Sequence, residues 1–319
     1  MSFFRERLPH FPITAFSIVM GLSGLTIALW KFHHLRWLPR WPYLGLLGLT
    51  TALFLLFFAL YLAKILFYPE AALADYRHKV RMNFIPTVSI SFLLLSIAYL
   101  GLWPVLSAPL WFIGTALQAL FAFHIISVWI THEFEIHHFN PAWFIPVVGN
   151  ILVPVAGVEF APDPVTAFFF GAGLFFWIIL SAIVLYRLIF HRTMPQKLMP
   201  TLFIFMAPPA VGFISYVRLT MSYDFLAQFL LFFGYFVFIL LLFLFRAYRK
   251  TPFFLSWWAY TFPMAAVTIS SIVAFQITKF ATFRFFAWFG MTLLTLIILR
   301  VGIETVRHVR RGEICVPEE

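Results

Sequence analysis

Three groups of residues in this sequence are of types able to do chemistry. The run HEFEIHH at 132–138 sets His132, His137 and His138 beside Glu133 and Glu135, and KFHHL adds His33 and His34. Imidazole with carboxylate is a ligand set for zinc and for non-haem iron, so a run of this kind is a candidate metal centre. The two histidine groups fall on opposite sides of the membrane topology derived below, however, and no second histidine box stands beside HEFEIHH. They read as interfacial histidines, with no metal and no cofactor. The glycine-rich run FFGAG at 169–173 lies inside an apolar stretch with no strand before it, which makes it a helix-packing motif rather than a nucleotide loop.

The charged residues are the second group. All 12 carboxylates lie in loops, tails or the ends of apolar stretches, Glu70, Asp75, Glu159, Asp163 and Asp224 among them. Proton-coupled and cation pathways carry a buried carboxylate, and none is available at mid-depth. Nor does a Lys or Arg sit mid-way along a proline-bearing stretch, so no tight anion trap is evident. What remains is neutral: Thr14, Ser17, Ser89, Ser91, Asn150, Ser215 and Thr268, with backbone near prolines. Such donors replace part of an anion's hydration without holding it hard, which suits conduction. The alternative for each lone Ser or Thr is a hydrogen bond to its own helix.

The third group is a repeat. FPITAFS, IPTVSIS, IPVVGNI, PPAVGFI and FPMAAVT each read X-Pro-x-x-small: Pro12 with Ala15, Pro86 with Ser89, Pro146 with Gly149, Pro209 with Gly212, and Pro263 with Ala266. An interior proline removes a hydrogen bond and kinks its helix at about 3 kcal/mol. A membrane tolerates this where neighbours satisfy the freed carbonyl. The residue before each proline and the small residue are i and i+4, hence on one face. If that face looks inward, Phe11, Ile85, Ile145 and Phe262, with Pro208 in the fourth unit, make an apolar constriction that blocks hydrated ions. The alternative is that these side chains pack between helices.

The elements that must position these residues are membrane helices. The chain has 319 residues, of which 63% are hydrophobic and 11% charged, far below the roughly 25% charge of soluble domains. Apolar stretches long enough to span a bilayer recur at 11–30, 43–67, 84–104, 106–131, 141–160, 164–190, 198–221, 223–246, 253–277 and 282–303. They are continuous rather than alternating, so they are helices and not barrel strands. The expected fold is all-α: one membrane domain over 1–319, with ten transmembrane helices. The proline unit occurs in every odd span and in no even one, so the repeat is a helical pair used five times. An inner ring of five proline-bearing helices sheathed by five straighter ones, with a central hole, follows.

Orientation follows from Lys and Arg. Fourteen lie at the N-terminus, in the loops after even spans and at the C-terminus, including Arg77, Lys79, Arg192, Arg249 and Lys250. Six lie opposite: Lys31, Arg36, Arg40, Arg218, Lys279 and Arg284. Both termini are expected in the cytoplasm of a cell (inner) membrane protein. Lys64 and Arg300 are expected to snorkel to the same side. A net charge of +10 in so apolar a chain reads as basic loops, not as nucleic-acid binding. The lone Cys315 excludes an internal disulfide and a thiolate cluster.

The segments GLSGLTIAL, NPAWFIPVVGN, FFGAGLFFWIIL, MAPPAVGFISY and WWAYTFPMA resemble the tellurite-resistance/dicarboxylate transporter family, in order and through nearly the whole chain. That family includes bacterial TehA proteins, the slow anion channels of plant guard cells and fungal malate permeases. The resemblance implies five helical hairpins around a central pore in each protomer, a pseudo-five-fold arrangement, and a homotrimer. It also implies that Phe262, before the ninth-span proline, occludes the pore. The expected function is an anion channel for small monovalent anions; the alternative is a carrier of C4-dicarboxylates or a tellurite-related anion, proton-coupled or not. No enzyme activity is expected.

Overall fold

A computed structural model describes residues 2–248 and 251–316; Arg249 and Lys250, counted above with the basic side, lie outside the described residues. The described residues form helices and no strand. Among the described residues, nine helical segments are long and apolar enough to cross a membrane. Their α-helical parts are α1 (Phe16–His34), α2 (Trp41–Phe67), α3 (Thr87–Tyr99), α4 (Pro104–Thr131), α6 (Asp163–Phe190), α7 (Ala207–Thr220), α8 (Phe225–Phe243), α9 (Thr261–Thr278) and α10 (Ala281–Arg310). Between α4 and α6 lies a shorter apolar helix, α5 (Pro141–Gly157). It is composite: α-helical turns at Phe144–Val148 and Val153–Gly157 flank a 3-10 turn at Gly149–Leu152. Pro141, Pro146 and Pro154 lack the donors that one unbroken α-helix would need.

The odd-numbered helices are the inner ones. In their four long segments 72–89% of residues in the membrane-length stretch are buried, against 17–44% in the five even ones. α5 is buried almost throughout. Contacts run in a closed cycle: α1 touches α3, α3 touches α5, α5 touches α7, α7 touches α9, and α9 returns to α1. Each even helix packs on the odd helix before it in sequence. The outer helices turn Leu55, Phe123, Phe175, Phe236 and Leu296 outward, an apolar surface suited to lipid. Hydrogen bonds also tie outer helices to the next inner one. Tyr43 donates to the Ala98 carbonyl (2.9 Å), the Trp111 indole to Val153 (2.9 Å), and Tyr235 pairs with Ser271 (2.7 Å).

The prolines do not interrupt these helices. Four odd α-helices follow a 3-10 run (Ile13–Ala15, Arg81–Phe84, Gln196–Met206, Leu255–Tyr260), and α5 opens with one at Pro141–Trp143. Pro146, Pro209 and Pro263 are each the third residue of an α-helical run, Pro86 caps α3, and Pro12 is extended just before its 3-10 turn. The first four N–H groups of an α-helix have no intrahelical acceptor, so a proline there loses little. The expected mid-helix kink is therefore corrected to a junction between two helix types.

One end of the molecule holds a buried ionic cluster. Lys64 does not snorkel into water: it is 2% exposed and its ammonium lies 2.6 Å from Asp75. It also donates to the Phe11 carbonyl at 3.0 Å, while Arg81 reaches the other Asp75 oxygen at 3.2 Å. At this end the two ends of the chain meet, where the Arg7 guanidinium donates to the carbonyls of Gly312 and Ile314.

Lys64→Met leaves the buried Asp75 carboxylate with the partly exposed Arg81 and a long contact from the Tyr61 hydroxyl (3.4 Å), so we expect a stability loss of about 3 kcal/mol, the low end for a broken buried pair. Adding Asp75→Asn should recover part of it. Thermal melting of both purified variants checks this; equal melting of wild type and Lys64→Met would refute it.

Candidate functional site

The space enclosed by the inner helices is lined by those helices and the turns that lead into and out of them. Two cavities lie within it. The narrower, about 60 Å³, is bordered by Ser17, Met20, Ile90, Ile145, Val148, Ile204, Trp258 and Phe262 among others. The wider, about 580 Å³, is bordered by Gly24, Ile27, Lys31, Leu94, Ile97, Val155, Ile214, Arg218, Ala266 and Ile269 among others. Along each inner helix the lining residues advance by three or four, as in Phe262, Ala266, Ile269 and Val273 on α9 or Gly24, Ile27, Lys31 and His34 on α1. That spacing is one face of an α-helix. A single face of every inner helix therefore borders a common axis.

Three residues border both cavities: Leu152 from α5, Val211 from α7 and Phe262 from α9. All are apolar, so where the two cavities adjoin these side chains offer an ion no hydrogen-bond donor. The local reason for the Phe262 position is its place as second residue of α9, beside Pro263, where the 3-10 run Leu255–Tyr260 hands over to α-helix. Its ring lies over Gly24 of α1, whose missing side chain leaves the space.

The residues singled out from the sequence divide. Of those before the prolines, Ile145, Pro208 and Phe262 border the narrow cavity; Phe11 packs outward on Phe57 (5.8 Å between ring centroids). Ile85 is not among the lining residues. Of the five repeat prolines, Pro263 borders the axis, and Pro12, Pro86, Pro146 and Pro209 are not among the lining residues. Among the small residues Gly149 and Ala266 line it, whereas Ala15, Ser89 and Gly212 do not, and a Cβ on Gly212 would meet Leu230 of α8. Most neutral donors are spent on protein acceptors. Ser91 bonds to Thr87, Thr268 to Met264 and Ser215 to Ile151. Ser89 lies 2.8 Å from the Pro86 carbonyl and 2.7 Å from Gln118 Oε1, giving its proton to one at a time. Asn150 is buried next to α6, with Oδ1 unpartnered. Ser17 alone of the set borders the axis.

Sequence reasoning passed over Leu152, Val211, and the bridging Gln118, whose amide donates to the Pro146 carbonyl at 2.8 Å. The signal for the first two was the three-and-four spacing from Ile145 and from Pro208. Charge is confined to the outer end of the wide cavity, where Lys31, His34, Arg218 and Glu159 stand; Arg218 pairs with Glu159 at 2.8 Å.

A family model described as SLAC1, voltage-dependent anion channel, matches residues 10–309. The chain belongs to that family. Its similarity to individual members is distant but extended. It is 26% identical to the uncharacterized transporter MJ0576 of Methanocaldococcus jannaschii, over 97% of this chain and 96% of that protein. It is 26% identical to the tellurite resistance protein TehA homolog of Haemophilus influenzae, over 90% of this chain and 89% of that protein. With the S-type anion channel SLAH3 of Arabidopsis thaliana it shares 28% identity over 94% of this chain, which spans 49% of the plant protein. Membership makes this a multi-pass membrane protein of an anion-channel family, acting on small anions and not an enzyme.

In this channel-family chain the histidine run lies at the surface. His137 pairs with Glu135 at 3.1 Å and stacks near His138, with 4.2 Å between centroids. Among the described residues no three of His, Cys, Asp and Glu converge as a metal site would require. Partial burial, then His137 and Lys79, push His138 below the usual histidine range, so it is neutral at pH 7.

If the face shared by Ile145 and Gly149 looked inward, a Gly149→Leu side chain would stand on the axis. The geometry gives another outcome: a Cβ there would stand 2.7 Å from Gln118 Nε2 and 2.9 Å from Ile90 Cδ1. The leucine is expected to break the Gln118 bridge and cost about 1–3 kcal/mol as overpacking. Thermal melting checks this, and a variant as stable as wild type but with reduced flux would put the side chain in the axis instead.

Proposed function

We propose that the chain is a channel for small monovalent anions, with a pore along the axis of the five inner helices that Phe262 closes at rest. The observation that carries this is the position of Phe262, with Leu152 and Val211, on the border of both cavities. An ion passing an apolar plug sheds water without compensation, so the barrier is one of dehydration. Anions that lose water readily, nitrate and iodide, should pass more easily than chloride. Family membership supplies the substrate class.

The full architecture we propose is ten crossings in five hairpins with pseudo-five-fold symmetry. The meeting of Arg7 with Gly312 and Ile314 supports it, because both chain ends on one side require an even number of crossings and so make α5 the tenth. The distribution of Lys and Arg favours both termini in the cytoplasm and a cell (inner) membrane setting. A homotrimer, each protomer with its own pore, belongs to the same proposal. A proton-coupled carrier would want a carboxylate along the path, and the one carboxylate bordering either cavity, Glu159, is at the rim and paired with Arg218.

Phe262→Ala is expected to raise anion current roughly tenfold or more, which is about 1.4 kcal/mol off the barrier, with Phe262→Leu between it and wild type. Nitrate should be more permeant than chloride in both. Planar-bilayer recording with melting curves decides the matter. A ring that only packs would instead cost about 3–5 kcal/mol of stability on truncation and give no current. A stable Phe262→Ala protein without added current would sink the gate.

A further inference from the structure

The wide cavity has apolar walls and an apolar floor, and its charges are gathered at one end. Lys31 comes from the last turn of α1, Arg218 from the last turn of α7, and Glu159 from just beyond α5. Arg218 is compensated: its Nη2 donates to Glu159 Oε1 at 2.8 Å and its Nε to the Val155 carbonyl at 3.2 Å. Lys31 is not. No carboxylate pairs with it among the described residues, although it is only partly exposed and faces the same space. The two cations and one carboxylate leave one net positive charge at this end of the cavity.

We propose that Lys31, backed by Arg218, forms a binding site for a hydrated monovalent inorganic anion in this cavity, one antechamber away from Phe262. A half-buried ammonium among aliphatic walls is stabilised by a counter-ion, and low-dielectric walls focus its field into the cavity. The single net charge selects a monovalent anion over a dicarboxylate, which would need a second uncompensated cation. A volume of about 580 Å³ admits the ion with part of its water shell. The site therefore raises anion concentration at the face opposite to the chain termini. The inference deepens the channel reading and rests on it.

The test uses two charge variants in the Phe262→Ala background and a binding measurement on the otherwise wild-type protein. Lys31→Gln should lower unitary conductance about threefold in dilute salt, the effect of one unit charge roughly 6 Å from the ion in water-like surroundings. Glu159→Gln should raise it by a similar factor, and Lys31→Arg should behave as wild type. All differences should collapse in molar salt, where the screening length is about 3 Å. In the otherwise wild-type protein nitrate should raise the melting temperature saturably, and Lys31→Gln should abolish that rise. The melting shift needs no current, so a silent Phe262→Ala protein would count against the channel alone. Unchanged dilute-salt conductance in both charge variants, or a nitrate shift that survives Lys31→Gln, would overturn the site.

Discussion

The ring closes where α1 has no side chains to hold α9 away. A Cβ on Gly24 would stand 2.5 Å from the Ala265 Cβ, and one on Gly21 would stand 2.0 Å from Thr261 Oγ1. These glycines bring α1 against α9, the first and last inner helices, and so turn a row of five helices into a cycle. The same contact fixes the start of α9 and thereby the root of Phe262. Small residues at such crossings are how membrane helices pack closely when water supplies no driving force between them. A methyl on either glycine would force α1 and α9 apart at this contact.

The division of labour between the two layers follows from solvent. Inner helices are covered on all sides by protein, so their 3-10 turns and freed or unpaired polar groups have protein rather than lipid beside them. Outer helices present long α-helices to lipid, with Pro109 inside α4, and reach inward with single polar atoms, such as the Trp111 indole and the Gln118 amide. Those atoms satisfy carbonyls of α5, the helix with the most irregular backbone. Irregularity at the centre is thus stabilised from the periphery.

Much of this was legible in the sequence. All ten helical stretches fall within a few residues of the apolar runs, apart from α3, which stops at Tyr99, and α10, which runs to Arg310. The alternation of inner and outer helices was carried by the X-Pro-x-x-small unit, which recurs in every odd stretch; Pro109, inside outer helix α4, is followed three residues on by the bulky Phe112. The axis face was harder to read. Inner helices are apolar around their whole circumference, so no amphipathic stripe separates the residues on the axis from those behind it. Ser89 and Gly212 therefore looked equivalent to Ala266, though they face outer helices. The pairing of Lys64 with Asp75 was hidden for another reason: the partners sit on different helices, and a turn whose direction no local pattern encodes brings them together. Leu152 and Val211 are ordinary aliphatic residues whose significance comes only from what stands across from them.

The 3-10 runs at the entrance to the inner helices have a mechanical consequence. Gln196–Met206 holds 11 residues in this tighter winding, ahead of Pro208 and Val211. A 3-10 turn rises about 2.0 Å per residue and an α-turn about 1.5 Å, so rewinding the run as α-helix would shorten it by roughly 5 Å. It would also unwind each step by about 20°, since three residues per turn become 3.6. Most backbone donors would keep an acceptor throughout, passing from the i−3 to the i−4 carbonyl. Rewound in this way the segment would act as a screw thread, exchanging travel for torque, and the residues at its far end are those that border the axis.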